Sequence, residues 1–70
     1  MALNRKLVTD LDLKEAMERQ VRIRIFQDDR VVESGGIISR FDEASVVIQS
    51  GVSDINYYPR ASCEIFEIKK

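Results

Sequence analysis

The chain of 70 residues contains no histidine and no tryptophan, and it has a single cysteine and a single proline. One cysteine cannot form a disulfide within the chain, and without histidine a structural zinc site has almost no ligands to draw on. No apolar run approaches the ~18 residues of a membrane span, and residues 1–10 do not resemble a signal peptide. We therefore expect a cytoplasmic protein that binds no metal, cofactor or membrane.

Charge is nearly balanced, with 11 basic and 12 acidic residues and a formal net charge of −1. A charged fraction of 33% suits a soluble globular protein, but there is no bulk excess of Lys and Arg that would indicate nucleic-acid binding. A chain of this length buries only about 60% of the surface that its unfolded form exposes. Because disulfides and zinc are excluded, oligomerisation is the remaining common way to stabilise such a small core.

The spacing of apolar residues predicts one helix followed by five strands. Leu13, Ala16 and Met17 fall on one helical face, and Asp10 or Asp12 can cap that helix. The apolar period then changes to two, as half-buried strands require. The predicted organisation is an N-terminal arm over 1–9 and a single domain over 10–70, with the helix at about 10–20 and strands at about 21–27, 31–41, 45–49, 52–58 and 62–68.

Two glycines, Gly35 and Gly36, interrupt the longest predicted strand. Paired glycines inside a strand indicate a bulge or a sharp bend. A helix and five short strands on short turns, with such a bend, predict a mainly β fold: a strongly bent, five-stranded antiparallel barrel of the Sm-like or SH3-like kind. We expect the fourth and fifth strands to expose unpaired backbone unless another chain covers them.

Residues 10–68 resemble the Sm-like proteins, most closely the bacterial Hfq branch. The first motif of that branch is a hydrophobic strand, a polar turn, a bending glycine and a Phe-Asp pair, and its counterparts are 21–26, 27–30, Gly35 or Gly36, and Phe41-Asp42. The second motif reads Tyr-Lys-His-Ala-Ile-Ser, and the matching stretch is Tyr58-Pro59-Arg60-Ala61-Ser62-Cys63. Tyr58 and Ala61 match outright, whereas Arg60 replaces the histidine with a permanent cation.

The resemblance implies an RNA-binding protein that acts as a homo-oligomeric ring, as an RNA chaperone or post-transcriptional regulator rather than an enzyme. Sm-like subunits pair the fourth strand of one copy with the fifth strand of the next. This heterologous contact closes into a ring of six or seven copies, of which we expect the hexamer. The expected partners are further copies of the chain and single-stranded RNA, with no small-molecule substrate.

The candidates for RNA contact are cations, aromatics and one amide on predicted surfaces: Arg60, Tyr58, Phe26, Arg24, Gln27, Arg40 and Lys6. The candidate structural residues of the two motifs are Gly35, Gly36, Phe41, Asp42 and Ala61. Phe26 should face away from the core, where it either stacks a base or packs beneath the helix. Arg60 lies where the family places a pore-lining cation, and the alternative is a salt bridge to Glu64 or a neighbouring carboxylate.

Departures from the family pattern favour a second interpretation. Glu43 and Ala44 follow the Phe-Asp pair, and Pro59 replaces the motif lysine. A carboxylate repels phosphate and alanine offers no stacking surface. In this alternative the chain is a small protein-interaction or regulatory module with the same barrel, like the YolD-like and Veg-like proteins, and it does not bind RNA. Catalysis has little support in either case, because Cys63 has no histidine to activate it.

Overall fold

One α-helix and six β-strands make up the computed structural model, which describes residues 2–69. In chain order they are β1 (Ala2–Leu7), α1 (Asp10–Arg19), β2 (Arg22–Gln27), β3 (Arg30–Phe41), β4 (Ser45–Ser50), β5 (Asp54–Pro59) and β6 (Glu64–Lys69). The strands form one antiparallel sheet in the order β1-β6-β2-β3-β4-β5. The prediction of a mainly β fold with one N-terminal helix is therefore confirmed. Met1 and Lys70, the outer limits of the predicted arm and domain, lie outside the described residues.

The first strand, β1, occupies the stretch in which the sequence predicted an arm, so the sheet has six strands and not five. β1 pairs antiparallel with β6, and Leu7 at its end is buried in the core. Arg5 of β1 forms a 3.3 Å ion pair with Glu15, which ties the strand to α1. Sequence periodicity missed this strand because β6, its partner in the sheet, comes from the opposite end of the chain.

The last strand, β6, has neighbours on both sides, which corrects the expectation that its backbone would be exposed. β1 pairs with one edge of β6 and β2 pairs with the other. Among the described strands the two free edges belong to β1 and β5, and the sheet does not close between them. The ring implied by the resemblance needs a free edge on the last strand, β6. In this structure β1 occupies that edge.

A helix covers the inner face of the curved sheet. Leu13 and Ala16 of α1 are each 1% exposed, and they pack on apolar side chains from five of the strands. Thr9 caps this helix, one residue before the earliest cap that the sequence predicted: its Oγ1 accepts the Asp12 amide and Asp12 accepts the Thr9 amide, each at 3.1 Å. The buried core consists of Leu7, Leu13, Ala16, Ile23, Ile25, Ile38, Val46, Ile48 and Ile65.

The predicted bend in β3 is confirmed at the two glycines. Gly35 has a φ of +91°, and the pairing between β2 and β3 shifts by one residue there. A Cβ on Gly36 would collide with Cγ2 of Ile48, so the backbone of β3 approaches β4 closely. The bend lets the first half of β3 pair with β2 and the second half pair with β4.

In the part of the chain that the structure describes, no helix has the length and apolarity to cross a membrane.

Candidate functional site

The outer face of the sheet carries a row of two cations around an aromatic ring. Lys6 of β1 is paired with Phe66 of β6, and Phe66 is paired with Arg24 of β2. The adjacent row, which includes Ile65 and Ile25, is buried on the inner face. Because side chains alternate across a strand, the row of Lys6, Phe66 and Arg24 lies on the outer face.

Two further side chains extend this row along β2. Arg22 and Phe26 are each two residues from Arg24 and therefore share its face. The rings of Phe26 and Phe66 meet edge to face, with centroids 5.7 Å apart and planes at 87°. Lys6, Arg22, Arg24, Phe26 and Phe66 are together called the aromatic–basic face.

Short polar contacts hold the cations of the aromatic–basic face. Nε of Arg24 donates to Ser34 Oγ and Nη1 of Arg22 donates to the Gly35 carbonyl, both at 3.2 Å. Nζ of Lys6 lies 3.3 Å from a carboxylate oxygen of Glu64, with both side chains about half exposed. Such an exposed pair contributes little to stability, so an incoming phosphate can compete for the lysine.

Arg60 lies away from this face and fastens the loop between β5 and β6. Its Nη1 is 2.8 Å from a carboxylate oxygen of Asp10 and donates to the Asp42 carbonyl at 2.6 Å. The guanidinium also lies 5.9 Å from the ring centre of Phe41. Its side chain is 18% exposed. Of the predicted alternatives, the salt bridge to a neighbouring carboxylate describes Arg60, although the carboxylate is Asp10 and not Glu64.

Tyr58 belongs to an internal hydrogen-bond network. Its hydroxyl lies 3.0 Å from Glu33 Oε1 and 3.2 Å from the Val32 carbonyl, and the Ser50 hydroxyl donates to Glu33 Oε2 at 2.6 Å. Burial, together with the Glu33 carboxylate, raises the pKa of Tyr58 to about 12. The network joins β5 to the first half of β3, where no backbone ladder connects them.

Gln27 and Arg40 are separated from each other and from the aromatic–basic face. Nε2 of Gln27 donates to Ser62 Oγ at 3.1 Å and so binds β2 to the loop before β6. Arg40 is exposed beside Val47 and Tyr57, where a groove of about 300 Å³ crosses β3, β4 and β5.

A larger cleft of about 510 Å³ opens at one end of the sheet. Its walls include Leu7, Phe26 and Cys63, with exposed Ala61 at the loop. Burial raises the pKa of the Cys63 thiol above its ordinary value, which keeps the thiol protonated at neutral pH. Among the described residues no group of three His, Cys, Asp or Glu side chains could hold a metal ion.

Asp42, of the Phe-Asp pair, stabilises the turn between β3 and β4. Oδ1 of Asp42 accepts the amides of Ala44 and Ser45, both at 2.8 Å. These two hydrogen bonds, the one from Ser45 first, lower the pKa of Asp42. Phe41 is partly buried and packs against the core.

Of the seven predicted RNA contacts, the structure therefore brings Lys6, Arg24 and Phe26 together and places the other four elsewhere. The residue that sequence reasoning missed is Phe66. In the last strand Ile65, Phe66 and Ile68 are all apolar, so alternation alone does not tell which of them faces outward. Only the pairing of β6 with β1 and β2 places Phe66 between two cations.

Comparison of the chain with protein-family models, with curated proteins and with solved structures found no match.

Proposed function

We propose that the protein binds single-stranded RNA through the aromatic–basic face and catalyses no reaction. The observation that carries this proposal is the cross-strand row in which Phe66 lies between Lys6 and Arg24. Unpaired bases stack on aromatic rings with about 1–3 kcal/mol each, and neighbouring cations hold the phosphates. A sheet surface with an aromatic centre and a basic border suits this mode of binding.

The distribution of charge supports a local site and argues against a general attraction. The whole chain has a net charge of −1, so it has no long-range field that would draw in a polyanion. On the outer face of β1, β6 and β2, however, three cations, Lys6, Arg22 and Arg24, lie together, and the carboxylate of Glu64 is paired with Lys6. Binding is then expected to depend on this face and to weaken with added salt.

An assembly of several copies of the chain would bind RNA more tightly than one copy, because a single RNA could contact several of these faces at once. The homo-oligomeric ring that the resemblance to the Hfq branch implies is not needed for this binding and is not part of the proposal. Because β1 covers β6, a ring of this conformation would have to join β5 of one copy to β1 of the next.

The test is fluorescence anisotropy with labelled A-rich and U-rich RNAs of about 16 nucleotides, a length that covers the usual site sizes. We expect binding at ~50 mM salt that weakens by a factor of ten or more at ~200 mM. Phe66→Leu, which keeps an apolar side chain but no aromatic ring, should weaken binding about tenfold or more. Urea unfolding of the variant, close to that of the wild type, would show that the fold is intact.

A matched pair of charge variants separates the face from the total charge. Glu64→Gln frees Lys6 and removes the carboxylate from the face, so we expect RNA affinity to rise several-fold at low salt. Glu18→Gln makes the same change of net charge on the exposed side of α1 and should leave affinity nearly unchanged. Absence of any anisotropy change at low salt would contradict the proposal and favour the protein-interaction module.

A further inference from the structure

The free edge of β5 presents defined backbone groups to solvent. The Arg60 amide donates to the Ala44 carbonyl at 2.9 Å, which fixes the alternation of hydrogen-bonded pairs along the β4–β5 ladder. Tyr58 and Asn56 then bond to β4, whereas the N–H and C=O groups of Ile55 and Tyr57 point outward. Between Asp54 and Tyr58 the edge thus offers two donors and two acceptors, spaced two residues apart.

This edge also exposes apolar side chains and carries little charge. Ile55 is 52% exposed and Tyr57 is 64% exposed, and both lie on the outer face beside β4. Asp54 is the sole charged residue of β5. The other free edge, β1, carries Arg5 and Lys6, and charged residues of this kind discourage edge-to-edge pairing.

We propose that β5 pairs antiparallel with β5 of a second copy, about a two-fold axis at Asn56. In this register Ile55 of each copy lies opposite Tyr57 of the other. The N–H and C=O groups of these two residues in both copies are then all paired, and together they form four hydrogen bonds. The two Ile–Tyr pairs are of the aromatic and β-branched type that stabilises antiparallel sheets. The only charged residue, Asp54, lies opposite Tyr58, so no like charges meet.

The second copy is favoured over other occupants because the pattern is complementary to itself. When two copies run antiparallel, Ile55 of the first faces Tyr57 of the second and Tyr57 of the first faces Ile55 of the second. The same surface is used on both copies, which is the condition for an isologous contact. Two six-residue strands bury an area at the low end for specific interfaces, below about 1,200 Å². We therefore expect a concentration-dependent dimer with a dissociation constant on the order of 10–100 µM.

Light scattering and sedimentation measure the mass of the native chain from about 1 µM to about 1 mM, the range that brackets such an affinity. We expect the mass to rise from 8.1 kDa to twice that value. A single chain at the highest concentration would overturn the proposal. A closed assembly of six or seven copies would overturn it too, since it requires a heterologous contact.

Two substitutions test the register. Tyr57→Pro removes an outward N–H but no hydrogen bond to β4, and an edge strand tolerates proline at such a position. Because the dimer loses the hydrogen bonds donated by this N–H, its dissociation constant should rise at least about 100-fold. Val52→Ser, at a side chain that is 98% exposed in the turn before β5, should leave the dimer intact. Equal effects of the two variants would contradict the register.

Disulfide trapping gives a second measurement, independent of the stability of the proline variant. Across the proposed axis the two Asn56 Cα atoms lie about 4.5 Å apart, within the range that a disulfide spans. In a Cys63→Ser background, Asn56→Cys should form a covalent dimer under mild oxidation and Val52→Cys should remain mostly a single chain. Failure of Asn56→Cys to cross-link would overturn the register. These experiments involve no RNA, so their outcome is separate from that of the proposed function.

Discussion

At the scale of single residues, the Glu33 carboxylate connects three strands. It accepts the hydroxyl of Ser50 at 2.6 Å and that of Tyr58 at 3.0 Å. The contact between the Tyr58 hydroxyl and Glu33 is partly buried. Leaving the Glu33 oxygen there without this donor costs about 1–3 kcal/mol of stability. The network therefore fastens β5 against the bent strand β3.

Removing the Tyr58 hydroxyl tests this contact. Tyr58→Phe should lower the free energy of unfolding by about 1–2 kcal/mol, because Glu33 keeps only one of its two hydroxyl donors. Urea unfolding at neutral pH measures the change. Tyr57→Phe, at an exposed neighbour on the same strand, should change stability by less than about 0.5 kcal/mol. Equal losses in the two variants would argue against a role for the network.

The same residue gives the fold a defined alkaline limit. The pKa of Tyr58 is raised from 10.0 to about 12 in the folded chain. The stabilisation is therefore complete below pH 10 and is lost as the pH rises through about 12. In the Tyr57→Phe variant, ultraviolet titration of the remaining tyrosine should show ionisation near pH 12.

At the scale of elements, the hairpin between β2 and β3 has an unfavourable pair of turn residues. Asp28 and Asp29 have φ of +54° and +63° between the paired Gln27 and Arg30, which is the backbone of a type I′ turn. Asn-Gly is the preferred sequence for this turn because glycine adopts positive φ without a steric penalty.

The double substitution Asp28→Asn and Asp29→Gly should stabilise the protein by about 0.5–1 kcal/mol, because it fits the left-handed backbone and removes two adjacent negative charges. Urea unfolding measures this gain. Asp29→Ala is the matched control: it also removes a negative charge, and it should destabilise because alanine tolerates the left-handed backbone less well than aspartate does. A gain of stability with alanine would show that charge, and not backbone conformation, limits the turn.

At the scale of the whole molecule, the bend at Gly35 and Gly36 lies where β3 passes from pairing with β2 to pairing with β4. Gly35 has the positive φ, and a Cβ there would have no neighbouring atom within 4 Å. Gly36 has close neighbours, because its Cβ would collide with Ile48 in the core and would also crowd the side chains of Glu33 and Ser50.

Alanine substitutions at Gly35 and Gly36 distinguish the two reasons for glycine, which are backbone conformation and lack of space for a Cβ. Gly35→Ala should cost about 1–2 kcal/mol of stability through its backbone conformation alone. Gly36→Ala should cost more, about 2–4 kcal/mol, through the clash with Ile48. The double variant Gly36→Ala and Ile48→Ala should then lose less than the sum of the single losses. Additive losses, measured by urea unfolding, would exclude the clash with Ile48 as the cause.

Much of the architecture followed from local patterns. The helix at 10–20 and the five later strands were predictable because their apolar residues repeat with a clear period. Asp42 was predictable as a turn residue, since its carboxylate bonds to amides only two and three positions along the chain. The strand β1 was not, because its partner β6 is about 60 residues away in sequence and pairing of that kind leaves no local signal.

The sequence by itself determined one helix, five of the six strands, the bend and the capped turn, since each depends on conformational preferences of neighbouring residues. Only the tertiary structure decided which surface is available. It placed β1 over the edge of β6, paired Arg60 with Asp10, and set Phe66 between Lys6 and Arg24. These outcomes depend on strand pairing between distant segments, where many registers have similar local preferences and burial of the whole core selects one of them.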